Sequence, residues 1–242
     1  MGLPLGEYRL APMLRRVPAC LRALRVGSAS EAVALLAQRQ ELILRALETL
    51  LIGTTEFFRD PQVFDLLQQE VIPGMLQRKA HPRVWSAACS EGAELYSVAM
   101  TFALFGALQE GQFFGSDCRA EAVEHARRGI FARPRSGGLR QPQSGLFTIS
   151  GEESIQVSPE IRRAISWQTA DVLADDPGGP WDMILCRNLA IYLSPEASAR
   201  LWQRLAGALA PGGILVVGKA EKPAVPGLRK IHPFIYCKHS IP

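Results

Sequence analysis

Three observations predict an α/β fold built on a mostly parallel sheet. From Val84 onward, short apolar runs alternate with helix-period stretches. The first run ends in a turn of small residues, Ala87-Ala-Cys-Ser-Glu-Gly92, ahead of a helical stretch that opens on Glu94. The second, Phe113-Phe-Gly-Ser-Asp117, ends in a carboxylate. In such a sheet a ligand sits beyond the carboxyl ends of the strands, and an acid closing the second strand is placed to bond ribose hydroxyls. These residues raise the expectation of a nucleoside-cofactor site, against the plain alternative of an ordinary strand-to-helix turn.

The chain order fills in around that centre. From Leu10 to Leu51 apolar residues recur at helical spacing, which makes residues 1–52 a bundle of about three helices. Gly27-Ser-Ala-Ser30 punctuates it, with Ser30 expected as an N-cap and no capping-box acid after it. Arg15, Arg16, Arg22 and Arg25 lie on or beside the first helix, as a solvated face or a docking surface. Residues 53–62 read as a linker between Gly53 and Pro61, and Phe64 to Met75 as an amphipathic helix ending near Pro73 and Gly74. The α/β region occupies 63–242, with strands at Val84 to Ala88, Phe113 to Ser116, Trp181 to Cys186, Ile214 to Gly218 and Phe234 to Lys238. Its interruption at about 132–166 is rich in Gly, Pro, Ser and Arg. There, Phe147-Thr-Ile-Ser and Ser154-Ile-Gln-Val flank Gly151-Glu-Glu, which is hairpin chemistry. A small antiparallel insertion is therefore expected in preference to a disordered loop, because so long an unstructured loop is unusual inside a compact domain.

Composition narrows the function classes. With 242 residues, 48% hydrophobic and 21% charged, the chain can bury a full core. A net charge of +4 is too small to argue for nucleic acid, so no nucleic-acid partner is expected. The 5 cysteines (Cys20, Cys89, Cys118, Cys186, Cys237) contain no Cys-x-x-Cys pair and suggest neither a disulfide framework nor a metal site. Arg9, Arg15, Arg16, Arg22 and Arg25 interrupt the first 25 residues, which excludes a signal-peptide core there. No apolar run approaches the roughly 20 residues that span a bilayer, so no membrane insertion is expected and the cytoplasm is the expected compartment.

Several stretches together resemble one family, the chemotaxis-receptor glutamate O-methyltransferases (CheR), which use S-adenosylmethionine. They are Thr54-Thr-Glu-Phe-Phe-Arg59, Val84-Trp-Ser-Ala-Ala-Cys-Ser-Glu-Gly92 with Glu94 and Tyr96-Ser97, Gly115-Ser-Asp117, Ala126-Arg-Arg-Gly-Ile-Phe131, Asp182-Met-Ile-Leu-Cys-Arg-Asn-Leu-Ala-Ile-Tyr192 and Pro211-Gly-Gly. The resemblance implies a class I, Rossmann-like methyltransferase domain with a small β-subdomain, preceded by an all-helical domain and a linker. By position, Thr55 and Arg59 would reach the methionine part of the cofactor, Glu94 its amino group and Asp117 its ribose. Asp171 and Val172 fall at the adenine-contacting pair, and Arg187 and Asn188 line the cofactor from the end of the fourth strand. Tyr192 lies over the methyl-transfer centre, so Arg59 and Tyr192 are the expected catalytic residues. Arg15, Arg16 and Arg22 would meet an acidic helical segment of a chemoreceptor-like substrate, with the enzyme a monomer and S-adenosylhomocysteine the product.

Each residue has a plainer alternative: Arg59 an ordinary linker arginine, Tyr192 a half-buried aromatic, Asp117 a cap for the helix at Ala120. The chain also departs from the family at several positions. Gly53 replaces Asn, Glu91-Gly-Ala-Glu-Leu95 replaces Thr-Gly-Glu-Glu-Pro, Arg119 replaces an acid, Asp171-Val172 replaces Asn-Leu, and Lys219-Ala-Glu221 replaces His-Ser-Glu. Losing one polar contact to a ligand commonly costs on the order of 1 kcal/mol. The rival expectation is thus a diverged, non-catalytic module that binds S-adenosylmethionine or S-adenosylhomocysteine and acts through protein contacts. A nicotinamide dehydrogenase ranks third, since no Gly-x-Gly-x-x-Gly follows the first strand.

Overall fold

The computed structural model describes residues 5–50, 55–133, 146–149, 153–176 and 178–239. The chain divides into two compact units, Met1–Gly53 with Tyr192–Ser198, and Thr54–Ile191 with Ala199–Pro242.

The first unit contains α1 (Leu10–Leu14), α2 (Val17–Leu24), α3 (Ala29–Gln38) and α4 (Ile43–Leu50). Cys20, Leu24, Ala32 and Ala46 form its core, with Leu21, Leu35 and Leu36 packed against them. The cap of α3 is Ser28 rather than the expected Ser30. The Ser28 hydroxyl accepts from the Glu31 N–H at 3.2 Å and donates to Glu31 Oε1 at 3.1 Å, while Oε2 accepts from the Gly27 N–H at 3.0 Å. The capping-box acid was present two residues earlier than the expected register. Residues 192–198 join this unit because the chain near Tyr8 pairs with them. Arg9 N donates to the Tyr192 carbonyl at 2.8 Å, Ser194 N to the Glu7 carbonyl at 2.7 Å, and Arg9 Nε to the Leu193 carbonyl at 2.9 Å. Tyr192, expected within the 63–242 region, thus groups with the helical unit.

The second unit opens with one helical run, α5 (Pro61–Leu66), a π-helical turn at Leu67–Val71, and α6 (Ile72–Leu76). The run starts at Pro61, three residues before the expected Phe64, and ends at Leu76, one past the expected Met75. Pro73 falls in the first turn after the wide segment, where its missing N–H interrupts no regular ladder. Then follow β1 (Arg83–Ala87), α7 (Ala93–Leu104), β2 (Gln112–Asp117), α8 (Ala120–Arg128), β3 (Ile130–Ala132), β4 (Phe147–Ile149), β5 (Ser154–Val157), α9 (Pro159–Arg163) and β6 (Ile165–Thr169). The last elements are β7 (Trp181–Cys186), α10 (Pro195–Ala208), β8 (Leu209–Val217), β9 (Leu228–His232) and β10 (Ile235–Lys238).

The main sheet has 7 strands in the order β6-β2-β1-β7-β8-β10-β9. Its first five strands are parallel and β10 runs antiparallel to both neighbours. Every residue of β7 is buried, as a central parallel strand covered on both faces requires. Helix α7 is buried from Leu95 to Phe102, and its serine and threonine hydroxyls donate within the helix. Ser97 Oγ donates to the Ala93 carbonyl at 2.7 Å and Thr101 Oγ1 to the Ser97 carbonyl at 2.8 Å.

A second, 3-stranded antiparallel sheet has the order β3-β5-β4. It contains the expected hairpin pair, with Phe147 opposite Val157; the turn at 150–152 lies outside the described residues, as do 134–145 of the insertion. The expected insertion limits of 132–166 need correction at both ends. Ile130 and Phe131 already pair with β5, and Ile165 and Ser166 belong to the main sheet, opposite Phe113 and Phe114. Strand β6 escaped notice because it is an edge strand whose burial alternates, giving Ile165-Ser-Trp-Gln-Thr169 too little apolar content to stand out. Strand β8 begins at Leu209, ahead of the expected start at Ile214, and passes through Pro211-Gly-Gly by a register shift.

Candidate functional site

The sheet order reverses between β1 and β7: the chain runs outward from β1 through β2 to β6, then crosses back to β7. The crevice at the carboxyl ends of these two strands is the position an α/β sheet offers to a ligand. The turn after β1 is wound tightly there. Ala88, Ser90 and Gly92 all have positive φ, at 56°, 54° and 88°, although only the last is a glycine. Gly92 is doubly constrained, since a Cβ would also come within 2.5 Å of the Trp167 ring. Non-glycine residues in this region are sparse and cluster at binding sites, held by their surroundings. Here the holding bonds are Cys89 N to the Ser116 carbonyl at 2.9 Å and Ser90 N to Asp117 Oδ2 at 2.8 Å.

A cavity of about 40 Å³ opens beside this turn, lined by Thr55, Arg59, Ser90, Glu94, Arg187 and Asn188 among others. Five of the expected site residues therefore come together: Thr55, Arg59, Glu94, Arg187 and Asn188. The linker reaches them through its aromatics. Phe57 packs edge-on against Phe131 and Phe147, with ring centroids 4.7 and 5.0 Å apart, and Phe58 against Phe64 at 5.3 Å. The Phe58 N–H donates to Ser97 Oγ at 3.0 Å. These rings turn Thr55-Glu-Phe-Phe-Arg59 into a fixed wall.

Arg187 is the hub of the site. Its side chain is 2% exposed, and it joins three separate stretches of the chain. Nη1 donates to Glu94 Oε2 at 3.0 Å, while Nη2 donates to Asp60 Oδ2 at 2.7 Å and to the Arg59 carbonyl at 2.9 Å. Glu94 Oε1 accepts from Ser86 Oγ at 2.9 Å, and Lys219 Nζ lies 2.9 Å from Asp60 Oδ1. Burial pushes the Asp60 carboxyl up, but the hydrogen bond from Lys219 and the charges of Arg187, Lys219 and Arg59 outweigh it, so the group sits below its usual range. Behind Asn188, Glu221 ties the turn after β7. Its oxygens accept from the N–H groups of Asn188, Ala190 and Gly218 at 2.9, 2.8 and 2.7 Å. Gly218 has to be glycine because a Cβ would meet Glu221 Oε2 at 2.7 Å. Burial raises the Glu221 carboxyl against these donors. Burial, followed by the charges of Asp117 and Glu94, pushes Cys89 well up, and burial and Asp117 push Cys118 up to about 12. Neither thiol is a nucleophile at neutral pH.

The other expected residues lie elsewhere. Asp117 is 5% exposed and joins the turn through Ser90. It does not cap α8 in the expected way: its Oδ1 accepts from the N–H of Arg119, which is itself the N-cap residue, at 3.0 Å. Asp171 and Val172 line a different cavity of about 290 Å³ with Trp85, Phe114 and Trp181. There Asp171 closes its own turn, with Oδ1 accepting from the Leu173 N–H at 2.9 Å. Tyr192 is half-buried in the first unit. Arg15 and Arg22 are exposed, whereas Arg16 spends its Nε on the Thr49 carbonyl at 3.2 Å. Sequence reasoning assigned no role to Asp60, Ser86 or Glu221, and it noted Arg119 and Lys219 only as departures. Asp60 directly follows Arg59 in the linker, and that adjacency was the available signal.

The donor set suits the amino-acid end of a zwitterionic cofactor, an ammonium beside a carboxylate. Glu94 keeps acceptor capacity on both oxygens, since a carboxylate offers about four lone-pair sites. Arg187 Nε is buried and has no hydrogen-bond partner among the described residues. The family model described as CheR methyltransferase, SAM binding domain, matches residues 53–235. A chemotaxis protein methyltransferase of Listeria innocua is 29% identical over 98% of this chain and 92% of its own length. A probable chemotaxis protein methyltransferase of Rhizobium etli is 30% identical over 91% of this chain and 87% of its own. A chemotaxis protein methyltransferase of Vibrio parahaemolyticus is 26% identical over 99% and 90%. With the switch-point cavity and this match over most of its length, the chain belongs to the CheR methyltransferase family and carries that family's S-adenosylmethionine-binding domain.

Proposed function

We propose that the protein transfers a methyl group from S-adenosylmethionine to glutamate side chains of a chemoreceptor-like helical protein. The observation that carries this reading is the cavity in which Glu94, Arg187, Asn188, Thr55 and Arg59 meet at the switch point, with no acid–base pair set apart for proton transfer. The names of the relatives, chemotaxis protein methyltransferases, support the class of target. The cofactor supplies a methyl group already activated on a sulfonium. A glutamate side chain ionises near pH 4.3 and is already an acceptor carboxylate at neutral pH, so no general base is needed.

What remains for the chain is to hold and orient. Glu94 takes the cofactor ammonium, Arg187 fixes Glu94, and Asn188 and Thr55 close the sides. Arg59 steers the incoming carboxylate, since a guanidinium fork matches two carboxylate oxygens, and Tyr192 is the second residue expected to act in catalysis. Such orientation can be worth several kcal/mol. The exposed Arg15 and Arg22 meet the acidic segment of the receptor helix, with Arg16 held back by its bond to Thr49.

Calorimetry with S-adenosylmethionine and S-adenosylhomocysteine, followed by base-labile methanol release from candidate receptors, tests the proposal. Binding with methanol release supports it. Binding without release from any receptor tried, together with receptor capture, would favour the non-catalytic module. Full activity in Tyr192→Phe or Arg59→Ala would remove those roles.

A further inference from the structure

The amino-acid end of the crevice is open and its ribose end is not. Both oxygens of Asp117, the acid placed for the ribose, are bonded within the chain. Oδ1 accepts from the Arg119 N–H at 3.0 Å and from Arg119 Nε at 3.0 Å, with the Cys118 thiol a long, weak third donor at 4.0 Å, and Oδ2 accepts from the Ser90 N–H at 2.8 Å. The same guanidinium continues through Nη2 to Ser90 Oγ at 3.0 Å. Arg119 therefore joins the tip of the turn after β1 to the acid at the end of β2. The side chain is only 14% exposed, against 6% for Asp117. The cavity's lining is consistent with that plug: it includes Ser90 but neither Asp117 nor Arg119, and at about 40 Å³ it has room for a few water-sized groups rather than a nucleoside.

Lone-pair counting gives the consequence. A carboxylate has about two acceptor sites on each oxygen. On Asp117 both sites of Oδ1 are taken and one site of Oδ2 remains. A ribose that donates both hydroxyls to this acid needs one site on each oxygen, so it cannot do so while Arg119 Nε stays in place. One hydroxyl can be accepted with Arg119 bound, and the second only after it leaves.

We propose that Arg119 occupies the ribose subsite and sets the cofactor affinity of this chain, competing with one ribose hydroxyl for Asp117 Oδ1. This rests on the cofactor site described above and adds a residue that acts against it. Arg119 acts through Asp117 and is thus a positioning residue, so the test reads affinity and its dependence on ribose hydroxyls.

The experiment is titration calorimetry of S-adenosylhomocysteine and its 2′-deoxy analogue into the wild type and Arg119→Ala, with Arg119→Gln as a second variant that keeps part of the packed stem. Freed Oδ1 should tighten S-adenosylhomocysteine about tenfold in Arg119→Ala, the low end of the scale of one hydrogen bond to a charged group. The deoxy analogue, which needs only the site left on Oδ2, should bind the two proteins equally. Unchanged or weaker binding of S-adenosylhomocysteine by folded Ala and Gln variants overturns the proposal and leaves the cofactor site standing. An equal gain for both ligands also overturns it, because Arg119 would then act as a general obstruction. Absence of binding by wild type and variants alike would overturn the site assignment itself, and this inference with it.

Discussion

Two arginines hold three acids at the cofactor crevice, and they do so in opposite ways. Arg187 binds Glu94 and Asp60 from 93 and 127 residues away in sequence, from a position 2% exposed. Arg119 binds Asp117 from two residues away, at the rim, 14% exposed. The first pairing exists only when linker, α7 and β7 are assembled, so it helps define the fold of the site. The second lies within one strand-to-helix turn, with a single further bond to Ser90 Oγ at the tip of the turn after β1. A buried guanidinium with distant partners is therefore read as scaffold, and a local pair over a ligand acid as a removable competitor.

The comparison breaks most sharply at Arg187. Arg187→Met leaves Glu94 and Asp60 without their shared cation in a largely dry crevice, and removing one partner of such a pair typically costs about 3–5 kcal/mol. Urea unfolding should show this as a large drop in midpoint with unchanged slope, whereas Arg119→Ala, which removes one cation from an acid that keeps two backbone N–H donors, should lose less, about 1–2 kcal/mol. Comparable losses in the two variants would end the distinction. Next in size is Gly92→Ala, which combines a positive φ with a contact of 2.5 Å to the Trp167 ring. Thermal melting should report a loss of about 2–3 kcal/mol, since neither backbone nor indole can yield cheaply. A variant as stable as the wild type would show that the turn is looser than its dihedrals imply. Glu221→Gln ranks third. The amide presents one acceptor oxygen and one donor nitrogen to a ring of N–H groups, so at least one backbone donor loses its partner, at about 1–2 kcal/mol. Cofactor affinity should fall with stability, because the donors belong to the turn carrying Asn188; a loss of stability alone would detach Glu221 from the site.

How much of this could be read in the sequence follows the range of the interactions. Alternation of apolar runs revealed the α/β class and the central strands β1, β2 and β7, because their burial is written into consecutive residues. It did not reveal β6 or β9, edge strands whose side chains are half solvated and whose composition resembles loop. Five of the residues expected in the crevice line it because their motifs sit at strand ends and in the linker, where topology fixes position. Asp60 and Glu221 went unassigned because their partners, Arg187, Lys219 and the turn after β7, lie 31 to 159 residues away and leave no local pattern. Asp117 was given a ligand role with a helix cap as the alternative, yet it also holds the strained Ser90 turn and receives Arg119, and neither role shows as a spacing.

The smallest expected effect concerns the second cation on Asp60. Lys219 Nζ lies 2.9 Å from Asp60 Oδ1, but its side chain is 48% exposed against 19% for Asp60. Solvent and side-chain entropy reduce such a pair to about 0.2–1 kcal/mol. The Asp60 carboxyl is depressed in the folded protein despite its burial, chiefly by the Lys219 hydrogen bond and by the charge of Arg187. A depressed acid stabilises the fold above its unfolded value, about 3.9 for aspartate, and that contribution drains away as pH falls through the folded value below it. Lys219→Met keeps much of the stem and removes the charge, so its deficit should be fully present at pH 6.5 and narrow steadily as the pH is lowered toward 3.5. Arg187 still holds the other oxygen at 2.7 Å, which keeps the deficit under about 1 kcal/mol. Paired urea titrations of wild type and variant across that range measure it. A deficit that is constant with pH would mean Lys219 acts by packing alone, and one that widens toward acid would contradict the sign of the Asp60 shift.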